Sequence, residues 1–195
     1  MKIYIALLRG INVGGKNIIR MADLKRMFER IGLFEVQTYI QSGNVLFRSE
    51  EEEESLRSKI EQEILIVFQI SVTVVLRTFE ELEKIILNCP FTDEEVAEAD
   101  TSSQAESLYV SLMTHVLPQE KREYLSIYEN EFEKYRIIGR EIFLLFHQGI
   151  RNSKLANSLQ KLGVPATVRN WKTIGKLVEL AKNMEAGATN INIAQ

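Results

Sequence analysis

A chain of 195 residues with 45% hydrophobic and 26% charged side chains can bury a real core, as one large domain or two small ones. One cysteine, Cys89, excludes an internal disulfide and a multi-cysteine zinc site. No apolar run approaches the length of a membrane span and the chain opens directly on a strand, so cytoplasm is the expected compartment.

In chain order, Ile3 to Leu8 reads as a strand by its β-branched and aromatic content. Leu24, Met27, Phe28 and Ile31 repeat at i, i+3, i+4 and i+7, the inner face of a helix from near Met21 that stops at Gly32. Val36 to Ile40 and Val45 to Phe47 flank Gln41-Ser42-Gly43-Asn44, a hairpin signal. A second helix follows the acidic run from Glu50, with Leu56, Ile60, Ile64, Val67 and Phe68 facing inward. Val72 to Leu76 is a strand, and Thr78 with Glu81 forms a capping box for the helix that buries Phe79, Leu82, Ile85 and Ile86.

Residues 89–107 read as an acidic linker, with one or two helical turns at Asp93 to Asp100 and a loose Thr101-Ser102-Ser103. The order of elements then returns. Leu108 to Met113 is a strand, and Pro118 opens a helix through Glu129. Tyr135 to Ile138 and Ile142 to Phe146 flank Gly139-Arg140 as a second hairpin, and Arg151 to Leu162 is a helix ended by Gly163. Ala166 to Val168 is a strand, and Trp171, Ile174, Leu177, Val178 and Ala181 line a final helix.

Both halves therefore read βαββαβ plus one helix, and short echoes join them. Tyr4-Ile5-Ala6-Leu7 resembles Tyr109-Val110-Ser111-Leu112, and Arg77-Thr78-Phe79 matches Arg169-Asn170-Trp171 in position. The expected fold is α+β, with two tandem ferredoxin-like (βαββαβ) units whose sheets are antiparallel, each followed by an extra helix. The expected boundaries are 1–88 for the first unit, 89–107 for the linker, 108–183 for the second unit and 184–195 for a tail.

The formal net charge of −3 conceals segregation. Residues 1–31 hold seven Lys/Arg against two acids, and residues 136–182 hold nine against two. Residues 79–106 hold nine acids against Lys84 alone. Solvated helix faces account for most of the acids, while two distant basic segments suit convergence on one anion-binding face.

The densest candidate is Arg9-Gly10-Ile11-Asn12-Val13-Gly14-Gly15-Lys16-Asn17. Glycines let backbone N–H groups point at one spot, and a lysine adds charge. The stretch fits GxxxxGK[ST] except at Asn17, whose carboxamide is a poor replacement for a magnesium-binding hydroxyl. Lys16 also lies several residues before the helix, and no apolar strand ends in a metal-holding aspartate. A nucleotide hydrolase loop is therefore not expected. A loop whose glycines only satisfy turn geometry stands beside the anion reading.

Matched helix starts add a second argument. Thr78 precedes Glu80 and Glu81, which complement a helix dipole, whereas Arg169-Asn170 precedes Lys172 and Lys176. The preceding helix likewise opens Arg151-Asn152-Ser153-Lys154. Cations at a helix N-terminus suit a bound anion, or they swing into solvent. Trp171 reads as core, with base stacking the lesser alternative. Tyr4 and Tyr109 sit where RNA-recognition modules place an aromatic, but the matching third-strand signature is missing. His115 and His147 lack metal spacing, Cys89 reads as a small apolar residue, and Ser42 and Ser153 lack a nucleophile context. No catalytic residue or cofactor is nominated.

The run from Tyr4 to Asn17, with Met21-Ala22-Asp23-Leu24 and Thr38 to Val45, resembles the opening of a bacterial domain-of-unknown-function family, number sixteen ninety-seven. Cys89-Pro90-Phe91, Ser153-Lys154-Leu155 with Asn157, and Ala166 to Thr173 with Lys176-Leu177 extend the resemblance over nearly the whole chain. It implies tandem ferredoxin-like units and brings no activity, substrate or cofactor. The expectation is a small phosphorylated or carboxylated ligand in a composite basic site. Arg9, Lys16, Lys154, Arg169 and Lys176 would supply charge there, and Asn12, Gly14, Gly15, Asn17, Ser42, Asn44, Ser153 and Asn170 would supply hydrogen bonds. The alternatives are a non-specific nucleic-acid binder and a protein-interaction scaffold.

Overall fold

Six of the seven residues of strand β1 (Lys2–Leu8) are buried, which requires cover on both faces and a central place in a sheet. The computed structural model describes residues 1–102 and 106–187, and it bears this out. Ser103 of the expected linker and the end of the expected tail lie outside the described residues. The chain divides into two compact units, Met1–Lys84 with the residues from Ile174 on, and Ile85–Thr173.

The first unit runs β1, α1 (Met21–Arg30), β2 (Phe34–Tyr39), β3 (Asn44–Ser49), α2 (Glu53–Phe68) and β4 (Val74–Thr78). The strands form an antiparallel sheet in the order β2-β3-β1-β4. Leu24, Met27 and Phe28 of α1 and Leu56, Ile60 and Ile64 of α2 pack on Tyr4, Ala6, Leu8, Val45 and Phe47 of the sheet. Helix α1 stops where Gly32 turns left-handed at φ +84, with Leu33 N–H donating to Phe28 O. The Thr78–Glu81 capping box forms as expected ahead of α3 (Phe79–Leu87): each side chain accepts from the other's N–H, at 3.2 and 2.9 Å.

Helix α4 (Asp93–Ser102) occupies the acidic segment and is longer than the one or two turns expected. Its start was legible, because Thr92 and Glu95 form another reciprocal capping box. The second unit continues with β5 (Leu108–Met113), α5 (Gln119–Ser126), β6 (Glu133–Ile138), β7 (Glu141–Phe146), α6 (Lys154–Ser158) and β8 (Ala166–Asn170). Its antiparallel sheet has the order β6-β7-β5-β8. The last helix, α7 (Trp171–Glu185), runs two residues past the point where the apolar pattern fades.

Three expectations shift. The strand expected at 72–76 lies at 74–78, and the helix expected from Arg151 starts at Lys154, because Ser153 caps it. Val67 is exposed with Leu65 and Ile66, since the inner face of α2 runs from Ile64 to Phe68, which packs on the core as expected.

The edges of both sheets share one device. Arg77 on β4, Arg136 on β6 and Arg169 on β8 each donate Nη1 to the carbonyl of the residue before, at 2.7, 2.6 and 2.9 Å. The Val74 N–H of β4 is also taken, by Glu61 Oε1. The remaining edge, β2, carries a register shift after Phe34, where Glu35 has φ +49.

Candidate functional site

The glycine-rich stretch folds back on itself. Lys16 N–H donates to Val13 O at 3.0 Å and Asn12 N–H to Asn17 O at 3.1 Å, two rungs of a miniature hairpin. Its turn residues, Gly14 and Gly15, have φ +58 and +74, the double left-handed geometry of a type I′ turn, which glycine adopts without strain. Helix α1 begins only at Met21, so Lys16 is a hairpin residue and not the first residue of a helix as the nucleotide motif needs.

Two asparagines fix this hairpin. The Asn12 amide donates to Ile19 O (2.9 Å) and Gln41 O (2.8 Å) and accepts from Ile19 N–H (2.8 Å). Asn17 Nδ2 donates to Gly10 O at 3.0 Å. Both are left-handed, at φ +54 and +50, a conformation asparagine tolerates better than most residues. The turn between β2 and β3 is built against them. Ile11 packs on Gly43, where an added Cβ would lie 2.8 Å from Ile11 side-chain carbons and 2.9 Å from Leu8 Cβ. Ile40 has φ +47, strain of about 1–3 kcal/mol for a β-branched side chain. Asn44 is fully buried, and its Nδ2 reaches Tyr39 O and Ser42 Oγ. Arg9, Asn12, Gly14, Gly15, Lys16, Asn17, Ser42 and Asn44 thus sit in two adjoining loops, but the carboxamides mostly hold backbone.

The fate of the cations separates the candidates further. In residues 1–31, Lys2 pairs with Glu52, Lys25 with Glu29, Arg26 with Asp23 and Arg30 with Glu63. The other three, Arg9, Lys16 and Arg20, are exposed and make no ion pair among the described residues. All three lie in the loop 9–20, which contains no acid.

In the second unit, intramolecular partners take up most of the expected site. Ser153 Oγ accepts from Ala156 N–H and donates to Glu133 Oε2, which also accepts from Leu155 N–H at 3.1 Å. The carboxylate at the start of α6 is therefore the chain's own. Asn170 Oδ1 caps α7 by accepting from Thr173 N–H at 2.8 Å. Lys172 pairs with Glu106, which holds its ammonium above the usual range. Arg169 is buried against Thr167 Oγ1 (2.7 Å), and desolvation lowers it to about 10, still charged at neutral pH. Lys154 is exposed. On α7, Lys176 pairs with Glu179 at 2.7 Å. Sequence reasoning missed Glu133, whose partners are 20 and 22 residues away, and Arg20, which leaves the α1 start without a side-chain cap.

The remaining residues fit structural roles. Tyr4 is buried and stacks on Phe47, and Trp171 leans on Phe143 at 6.3 Å. Burial pushes the half-buried Cys89 thiol up. His147 is buried, unlike an ordinary turn residue, and its Nε2 has no hydrogen-bond partner. Among the described residues no three His, Cys, Asp or Glu side chains gather as metal ligands, and no helix is long and apolar enough to cross a membrane.

The family model described as a protein of unknown function (DUF1697) matches residues 1–143, which include both loops. The chain belongs to this family. The DUF1697 match stops short of the Ser153 and Ala166 to Leu177 motifs. Among solved structures, the conserved bacterial protein SP0830 from Streptococcus pneumoniae is similar at 26% identity, with a TM-score of 0.70. The similarity covers 92% of the DUF1697 chain and 98% of that protein. No curated protein matches significantly.

Proposed function

We propose that the chain binds a small anionic ligand, phosphorylated or carboxylated, at the loop 9–20. One observation carries this reading: four of the first seven cations are neutralised by ion pairs, while Arg9, Lys16 and Arg20 share one acid-free loop. The strain at Ile40 and the glycine-only contact at Gly43 support it, because such strain persists where a loop must hold one shape. A non-specific nucleic-acid face, which needs many free cations along a surface, fits less well.

The two units are read as diverged ferredoxin-like copies, supported by their common element order and strand order. A reducing compartment such as the cytoplasm suits a chain with one cysteine.

Thermal-shift measurements with inorganic phosphate, nucleotides, sugar phosphates and dicarboxylates test the reading. A ligand at 100 times its dissociation constant adds about 2.7 kcal/mol. The Arg9→Ala/Lys16→Ala double variant should keep the ligand-free melting temperature and lose the shift. No shift with any anion, or an equal shift in the variant, would sink the reading. Titrations at increasing salt separate the nucleic-acid alternative, whose affinity should fall far more steeply.

A further inference from the structure

The Asn12 amide joins three backbone positions, its own, Ile19 and Gln41. The immediate chain neighbours of those positions are Val13, Ile18 and Ile40, and all three are exposed, at 62, 64 and 49%. Exposed aliphatics scattered singly need no explanation, but these three flank positions that one amide ties together. Neither the loop 9–20 nor the turn 40–44 contains an acid, and the loop carries the unpaired Arg9, Lys16 and Arg20. The backbone holding it is fixed by both asparagines and by the fit of Ile11 on Gly43, so little ordering cost falls on binding.

We propose that the anionic ligand of this loop is amphiphilic, with its charged group bonded to an aliphatic portion that lies on Val13, Ile18 and Ile40. This rests on the anion reading above and adds the class of ligand. Charge complementarity selects the anionic end, since a neutral aliphatic compound would leave three cations unused, and a bare anion would leave the aliphatic patch in water. An alkyl phosphate and an aliphatic carboxylate share this chemistry.

The test is isothermal titration of the full chain with inorganic phosphate, ethyl, butyl and hexyl phosphate, the matching carboxylates, and hexanol as a neutral control. All are kept below micelle-forming concentrations. Full burial of a methylene is worth about fourfold in affinity and an open surface covers roughly half of it, so affinity should rise about twofold per methylene. Hexanol should not bind measurably. The Val13→Ser/Ile18→Ser variant changes only exposed positions and should flatten the chain-length series while leaving phosphate binding intact. Phosphate binding without a chain-length gain would overturn the amphiphile and leave the anion site standing. Failure of every anion would overturn both. A chain-length gain that survives in the serine variant would overturn the assigned patch, and parallel series in phosphates and carboxylates tell which head group is preferred.

Discussion

Twelve residues, 9–20, connect β1 to α1, whereas five, 114–118, connect β5 to α5. The frames around these connections share two backbone hydrogen bonds. Leu8 N–H donates to Gly43 O as Met113 N–H donates to Arg140 O, and Arg9 N–H to Thr73 O as Thr114 N–H to Pro165 O. The hairpin turns differ in the same sense, with Ile40 to Gly43 in the first unit against Gly139-Arg140 in the second. The second unit keeps these two connections short, and its Glu133 and Glu106 occupy the start of α6 and Lys172. The first unit adds a latched hairpin at the same point, whose three cations make no ion pair among the described residues. Loops on a rigid scaffold are where binding residues concentrate, and at these two connections the first unit has the longer ones.

The comparison can be broken most sharply at the two turn glycines. Gly43→Ala must displace Ile11 or Leu8 and adopt φ +77, so it should cost about 3 kcal/mol. Gly139→Ala meets only Glu141 Oε2 at 3.4 Å and should cost about 1 kcal/mol, its φ of +59 being the main strain. Denaturant unfolding gives both values, followed by far-ultraviolet dichroism for the first. For the second, fluorescence of Trp171, the single tryptophan, is the better probe. Equal losses would mean that the first turn is no more tightly fitted than the second.

Asn12→Ala comes next. It removes three hydrogen bonds worth about 0.5–1.5 kcal/mol each, so a loss of about 2 kcal/mol is expected by the same unfolding assay. Amide exchange should accelerate in 9–20 and around Gln41, and stay unchanged in 114–118.

Smaller effects test the matched helix starts. Thr78→Ala and Asn170→Ala should each cost about 1 kcal/mol, because both side chains cap a first turn. A much smaller loss at Asn170 would point away from a cap. Least of all, Lys172→Ala should leave stability nearly unchanged in the same assay, as expected for an exposed ion pair.

Element order was legible because periodicity reports burial directly, as with Leu24, Met27 and Phe28 of α1. So were the Gly32 stop and the Thr78–Glu81 box, whose signals lie within a few residues. The roles of the polar candidates were not. Asn12 and Asn17 read as hydrogen-bonding residues, and they are, but their partners are backbone groups that only the fold brings near. Arg169 read as a cation at a helix start, while strand alternation turns it into the sheet with Thr167. Pairings such as Arg30 with Glu63 likewise span 33 positions, so net charge by segment overstated the free charge.

Three arginines that bond back to their own strands, with the kink at Glu35, bear on how this protein meets its neighbours. An edge strand with open carbonyls is a template for another strand, and chains at high concentration extend sheets through such edges into aggregates. Here an outermost strand spends one of those acceptors on its own guanidinium, or breaks its register. Each sheet edge is thereby a poorer template for a strand added from another molecule.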